Sequence, residues 1–260
     1  MGYREEAVPA GSGLTCSWRQ AVPVDAERFV QRVVPDGCVD LIWWSRDAEL
    51  LVAGPDTGPM PTRMEPGEVL VGVRFAPGRA APVLGVPADA LRDARVPLSE
   101  LWGEEAVRLG ELVARSVAST PEAPDVPAPP RSPGALVVPD AGRGTDVLVA
   151  AVLERRAGPV DPMVAPAVRG LASGASVRDV ADAVGLSERQ LRRRALAAFG
   201  YGPKVLQRVL RFQRALGAAR AGVPAAEAAV DAGYADQAHM AHEVRELAGV
   251  PLGTLLGEGG

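Results

Sequence analysis

SVRDVADAVGLSERQLRRRALAAFG, residues 176–200, decides the fold of the C-terminal half, because its apolar residues recur at the spacing of two short helices. The buried stripe of the first helix consists of Val177, Val180, Ala181 and Val184. Gly185 stands where the chain must turn sharply, and Leu186 can fill the gap between the helices. The stretch therefore predicts a helix-turn-helix.

The second helix of this unit, predicted over residues 188–199, starts with capping signals. Ser187 can cap the helix, and Gln190 can complete a capping box. At 100° per residue, one side of the helix carries Leu191, Ala195 and Ala198, and the other side carries Arg189, Arg192 and Arg193. Arginine near the start of a recognition helix can bond guanine edges in the major groove. We predict that the three arginines face bases, the alternative being a solvated helix surface.

A second copy of the pattern occupies residues 225–247, AAEAAVDAGYADQAHMAHEVREL. Gly233 and Tyr234 occupy the places that Gly185 and Leu186 have in the first copy. The predicted buried stripe of its second helix consists of Met240, Val244 and Leu247. We expect Glu243 and Glu246 to face phosphates unfavourably, so the second unit should bind DNA less strongly than the first.

A predicted helix over residues 203–221 joins the two units. At 1.5 Å per residue it spans roughly 28 Å, close to one turn of B-DNA at ~34–36 Å, so both recognition helices can enter successive major grooves. One of its sides should pack against both units through Val205, Val209, Phe212 and Leu216. The predicted phosphate-facing residues of the whole region are Ser187, Lys204, Arg208 and Arg211.

The charge of the chain is unevenly distributed. A net charge of −4 and a pI near 5.4 argue, at face value, against a nucleic-acid partner. Residues 178–220, however, contain ten bases and three acids, whereas residues 221–260 contain one base and six acids. This asymmetry predicts DNA binding that is strong at the first unit and weak at the second.

A proline-rich stretch divides the chain into two domains. Residues 120–139 contain seven prolines and predict an extended spacer. Before it, residues 38–44, 49–53 and 68–75 predict strands, of which the last alternates as a half-buried strand should. Helices follow at residues 98–102 and 104–117. We therefore predict an α+β domain (a small sheet or barrel plus helices) at 1–118, a linker at 119–144 and an all-α DNA-binding domain at 145–260.

Residues 162–256 resemble the DNA-binding domain of AraC/XylS-type transcription regulators. The stretch GYADQAHMAHEVRELAGVP, residues 233–251, is similar to the C-terminal signature of that family. The resemblance implies a bacterial, cytoplasmic, nucleoid-associated regulator. Its expected partners are double-stranded DNA, which it binds, and RNA polymerase. The resemblance also implies base-facing positions at Gln237, Ala238 and His242, although Ala238 is too small to hydrogen-bond a base.

Residues 35–42 and 200–216 resemble a subgroup of that family whose N-terminal domain has no assigned ligand. The resemblance implies that this domain is a small cupin-like sheet or barrel that binds a small-molecule effector or a second subunit in a homodimer. The candidate pocket residues are Cys38, Asp40, Trp43, Trp44 and Arg74. Trp43 and Trp44 point to opposite faces of one strand, so at most one of them lines a pocket. The alternative is that the domain only dimerises or binds another protein, and that these residues are structural.

Several other classes of protein are not expected. The N-terminal domain has no histidine and the chain has two cysteines, so neither a metal site nor a cofactor is predicted. No nucleophile–base arrangement or phosphate loop suggests an enzyme. No apolar run approaches the ~18 residues of a membrane span, and no secretory leader is recognisable.

Overall fold

The computed structural model describes residues 2–118, 141–155 and 158–257. The N-terminal part contains eight strands, β1 Gly2–Glu6, β2 Leu14–Ala21, β3 Phe29–Val33, β4 Val39–Trp44, β5 Glu49–Ala53, β6 Met60–Met64, β7 Val69–Phe75 and β8 Arg95–Pro97. Six of them form an antiparallel sheet in the order β1-β2-β7-β4-β5-β8, and β3 pairs with β6. The three predicted strands are confirmed as β4, β5 and β7. Because β1 and β8 are edge strands, the larger sheet is open and is not a closed barrel.

The helices of the N-terminal part are α1 Ala81–Leu84, a 3-10 turn Ala88–Leu91, α2 Leu98–Trp102, α3 Glu104–Ala118 and α4 Ala141–Glu154. One face of the sheet packs against α3 and α4, and this core includes Val71, Val113, Leu148 and Val152. Helix α4 thus lies with the N-terminal sheet, whereas the predicted boundary at residue 145 assigned most of it to the DNA-binding domain. Residues 119–140, nearly all of the predicted linker, lie outside the described residues.

The other face of the sheet is also covered, so the expectation of a half-buried β7 is wrong. The indole of Trp18 lies directly over Gly72, where an added Cβ would come within 2.5 Å of Trp18 Cε2. Leu70, next to it on the same face, packs with Trp18 and with Met64 of β6. Strand β7 is therefore buried on both faces, and the absent side chain at Gly72 provides the space for the indole.

The C-terminal part is all-α, as predicted, with α5 Val164–Ala172, α6 Val177–Ala183, α7 Glu188–Phe199, α8 Pro203–Arg220, α9 Ala225–Ala232, α10 Gln237–Ala248 and α11 Leu252–Gly257. Residues of α5 to α8 share one apolar core, and residues of α8 to α11 share another. Within the described ranges, no helix has both the length and the apolar character needed to cross a bilayer.

The N-terminal part contacts both halves of the helical part. Arg92 donates from Nη1 to the Gly200 carbonyl at 3.3 Å, at the end of α7. Gln213 of α8 donates from Nε2 to the Pro35 carbonyl at 2.6 Å. Arg32 donates from Nη1 to the Ala248 carbonyl at 3.4 Å, at the end of α10. The sheet domain therefore contacts the helical part at three separate helices.

The packing of Trp18 on Gly72 can be tested with Gly72→Ala. The added methyl group overlaps the indole, and overpacking of this kind typically costs about 1–3 kcal/mol. We expect a lower midpoint in urea for the transition followed by tryptophan fluorescence. Gly58→Ala is the matched control, because a Cβ at Gly58 meets nothing within 4 Å. Equal midpoints for the two variants would contradict the packing described.

Candidate DNA-binding surface

The first helix-turn-helix forms where it was predicted. Ser176 caps α6 by accepting a hydrogen bond from the Asp179 amide at 3.1 Å. Gly185 adopts φ 68°, which permits the sharp turn, and the Leu186 amide donates to the Ala181 carbonyl at 2.9 Å. Leu186 packs against the first core, which closes the angle between α6 and α7.

Recognition helix α7 is held by the predicted capping box. The Gln190 amide donates to Ser187 Oγ at 3.3 Å, and the Ser187 amide donates to Gln190 Oε1 at 2.9 Å. Leu191, Ala195 and Phe199 are buried, whereas the predicted base-facing residues are exposed, namely Arg189, Arg192 and Arg193. The rigid start of the helix thus presents its arginines to solvent.

These three arginines carry uncompensated charge. Across residues 2–118, 141–155 and 158–257, no carboxylate forms an ion pair with any of them, whereas the neighbouring Arg194 lies 3.5 Å from Asp161. Lys204, at the start of α8, is exposed and similarly unpaired within those ranges. A cluster of exposed cations beside a helix that can enter the major groove suits a polyanion.

The second helix-turn-helix also matches its prediction. Asp236 caps α10 by accepting from the His239 amide at 2.7 Å, and Gly233 adopts φ 87° at the turn. The predicted buried stripe of α10 is confirmed, because Met240, Val244 and Leu247 are all buried. The predicted base-facing residues are all exposed on α10, namely Gln237, Ala238 and His242. His242 Nε2 lies 3.3 Å from Glu246 Oε1.

Helix α8 contributes to the cores of both units. Val209 is fully buried in the first core, and Phe212 and Leu216 are buried in the second. Val205 is partly buried against the first core. The predicted packing side of this helix is therefore confirmed, and α8 joins the two units rigidly.

Arg208 and Arg211, predicted to face phosphates, form ion pairs with α10. Arg211 bonds the Glu243 carboxylate through Nε at 3.1 Å and Nη2 at 2.7 Å, and Arg208 bonds it through Nε at 3.0 Å. Arg208 also bonds Glu246. The expectation that Glu243 faces phosphates is wrong, because the residue is 5% exposed and its carboxylate is bonded to both arginines. DNA contact by Arg208 and Arg211 stays a prediction.

The Glu243 carboxylate is ionised in this environment. Burial by itself raises the pKa of Glu243, but hydrogen bonds from Arg211 and Tyr234 outweigh burial and lower that pKa below its ordinary value. Tyr234 donates its hydroxyl to Glu243 Oε1 at 2.8 Å, and burial together with this bond raises the Tyr234 pKa. Sequence reasoning missed this group, although at 100° per residue Glu243 falls on the same side of α10 as Met240 and Leu247.

The candidate effector residues of the N-terminal part do not form one pocket. Trp43 is buried in the core against α3 and α4, whereas Asp40, Trp44 and Arg74 belong to the opposite face of the sheet. Asp40 accepts from Trp18 Nε1 at 2.8 Å and from Arg74 Nε at 3.2 Å. Burial raises the pKa of Asp40 to about 6, and burial also raises the Cys38 pKa. None of these five residues lines the cavity described next.

A cavity of about 820 Å³ lies between the N-terminal part and the first helix-turn-helix. The N-terminal part contributes Thr57, Arg92 and Asp93, and Thr57 Oγ1 donates to Asp93 Oδ1 at 2.9 Å. The helical part contributes Val177, Glu188, Arg189, Arg192, Leu196, Tyr201, Gly202, Pro203, Lys204 and Val205. Two predicted base-facing arginines, Arg189 and Arg192, therefore also line this cavity.

Tyr201 and Arg92 are among the cavity residues that sequence reasoning missed. Tyr201 is 2% exposed, and its hydroxyl has no hydrogen-bond partner among the residues described. Burial raises its pKa. No local pattern marks Arg92 or Tyr201, because the cavity arises only when two distant parts of the chain pack together.

Two stretches of the sequence match models of known protein families. Residues 180–257 match a family described as a helix-turn-helix domain, and this range includes α7, α8, α9 and α10. Residues 180–257 form an AraC-type helix-turn-helix domain. The AraC-type domain thus contains both recognition helices. Residues 13–97 match a family described as a domain of unknown function (DUF6597). No curated protein matches this chain.

Several solved structures of ToxT from Vibrio cholerae are similar to this chain. One determined at 1.65 Å shares 8% identity, with 99% of each chain covered and a TM-score of 0.46. A ToxT structure bound to an unsaturated fatty acid shares 10% identity over 92% of this chain and 90% of that one, with a TM-score of 0.41. Another, bound to (E)-4-(8-methylnaphthalen-1-yl)but-3-enoic acid, shares 7% identity over 99% of each chain, with a TM-score of 0.44.

Proposed function

We propose that this protein is a transcription regulator that binds specific DNA through residues 162–256. The observation that carries the proposal is the capped helix α7, which exposes Arg189, Arg192 and Arg193 without carboxylate partners in the described part of the chain. An AraC-type domain supports the same function. Such a regulator acts at the bacterial nucleoid, and RNA polymerase is its expected partner there.

In this proposal, α7 enters the major groove with its capped end foremost. Arg189, Arg192 and Arg193 read base edges, while Ser187 and Lys204 contact phosphates. Phosphate contacts dominate affinity, so binding weakens as salt rises. The second unit places Gln237, Ala238 and His242 toward bases, with smaller effect because Ala238 has no polar side chain and Glu246 lies beside His242.

The double variant Arg189→Ala with Arg193→Ala tests the role of α7. Each lost bidentate arginine–guanine pair costs about 1–3 kcal/mol, so affinity for the best site should fall at least roughly 30-fold. Affinity for unrelated DNA should fall much less, because that binding rests on phosphates. The measurement is fluorescence anisotropy with both DNAs at fixed salt.

The control is Arg4→Ala with Arg108→Ala, which removes the same charge from exposed positions of β1 and α3. This control should bind as the wild type does. Unchanged affinity of the Arg189/Arg193 variant for its best site would rule out base reading by α7.

We further propose that an effector binds in the cavity between the two domains. Its walls are apolar at Val177, Leu196 and Val205, and its cations are Arg92, Arg189, Arg192 and Lys204. Two acids, Asp93 and Glu188, also line it, and Asp93 is bonded to Thr57. The surplus of cations favours an anion, and the walls favour an apolar body. An organic anion bound there competes with DNA for Arg189 and Arg192.

Arg92→Ala tests the effector site from the N-terminal side. With decanoate as the probe, we expect a rise in the melting temperature of the wild type and weaker binding to DNA. Loss of one charge-assisted hydrogen bond should raise the Kd of Arg92→Ala for decanoate by roughly tenfold. Its affinity for DNA without decanoate should match the wild type.

Decanol, which has the same chain without the charge, and Arg108→Ala, which alters an exposed arginine of α3, are the controls. A wild-type melting temperature that decanoate leaves unchanged would contradict the site. If light scattering then showed a dimer, the N-terminal domain would be a dimerisation module without a ligand.

A further inference from the structure

Glu243 of α10 carries a buried carboxylate. The residue is 5% exposed, and its helix neighbours Met240 and Val244 are buried in the second core. A buried charge is costly unless hydrogen bonds and an opposite charge compensate it. The carboxylate of Glu243 therefore needs hydrogen-bond donors and positive charge close to it.

Donors from two other elements converge on Glu243. Arg211 bonds it through two nitrogens, and Arg208 adds a third bond from the same side of α8. Tyr234 adds a fourth bond from the turn before α10. The guanidinium of Arg211 also lies 4.5 Å from the centre of the Tyr234 ring. One carboxylate thus joins α8, the turn and α10.

The two kinds of contact constrain α10 differently. Apolar packing of Met240, Val244 and Leu247 is non-directional and tolerates small slides and rotations of a helix. A bidentate arginine–carboxylate pair has a fixed geometry and does not tolerate them. Glu243 therefore holds α10 at one position and one rotation on α8.

We infer that Glu243 is a positioning residue that sets the distance and angle between the two recognition helices. This inference rests on the proposed DNA-binding function. The helices α7 and α10 read two half-sites, meaning the DNA segments that each one contacts, and α8 separates them. By fixing α10 on α8, Glu243 determines the half-site spacing that the protein accepts, although it does not itself contact DNA.

The same carboxylate also compensates part of the positive charge of α8. Arg208 and Arg211 are 40% and 23% exposed at their side chains, and Glu243 is the carboxylate bonded to both. Without its charge, Arg211 loses its carboxylate partner and is available for phosphates, whereas Arg208 still pairs with Glu246. Each added phosphate contact steepens the dependence of log affinity on log salt concentration by about 0.9, so the slope for unrelated DNA steepens by up to about 0.9.

The experiment compares wild type, Glu243→Gln and Glu246→Gln as full chains. Each is titrated against DNA fragments in which the two half-sites are separated by spacers that change one base pair at a time. The wild type should show a narrow optimum of spacing. Glu243→Gln should bind over a broader range of spacings, with a steeper salt dependence on unrelated DNA.

Glu246→Gln is the matched control, since Glu246 also pairs with Arg208 but is exposed. It should keep the narrow optimum. If Glu243→Gln lowers affinity equally at every spacing and leaves the optimum as narrow as before, Glu243 only stabilises the fold and the inference is overturned. A wild type that binds DNA without any optimum also overturns it, whereas a wild type that does not bind DNA overturns the proposed function itself.

Tyr234→Phe keeps the test decisive if Glu243→Gln does not fold, as circular dichroism would show. It removes one of the four hydrogen bonds to Glu243 and retains the buried ring. We expect a spacing optimum wider than that of the wild type. An optimum identical to the wild type would overturn the inference.

Discussion

The sharing of α8 by two cores is the constraint on which the helical part depends. Val209 belongs to the first core and Phe212 to the second, so one continuous helix is buried at both units. A helix of 18 residues is roughly 27 Å long, which is comparable to one turn of B-DNA at ~34–36 Å. Caps at Ser187 and Asp236 then fix the start of each recognition helix against this frame.

Charge is distributed over this frame unequally. At the first unit, Arg189, Arg192 and Arg193 are exposed and have no carboxylate partners in the described ranges. Toward the second unit, two arginines of α8, Arg208 and Arg211, are bonded to Glu243 within the fold. The acids among the last forty residues thus include a buried one that is bonded within the fold, Glu243, as well as exposed ones such as Glu246. These contacts predict stronger DNA binding at the first unit than at the second, and they do so more specifically than the charge count alone.

The sequence predicted the helix-turn-helix units closely because their signals are local. Capping residues, a turn glycine and apolar spacing all lie within about 25 residues, and the structure confirms them at Ser187 and Gly185. The helical spacing also places Glu243 on the buried side of α10. Its charge, however, favours the opposite expectation, that the side chain faces phosphates. Contacts between distant residues left no such signal. The indole of Trp18 over Gly72 and the approach of Arg92 to Gly200 depend on tertiary packing that periodicity cannot reveal.

Selection of bound fragments from a random DNA pool, with the full chain at physiological salt, tests the central claim most directly. The account predicts enriched fragments with one strongly specified half-site and a second, weakly specified one about 10 base pairs away. The strong half-site should be rich in guanine, because α7 presents arginines. A pool without any enriched motif would contradict specific DNA binding. Two equally specified half-sites would contradict the division of labour between α7 and α10.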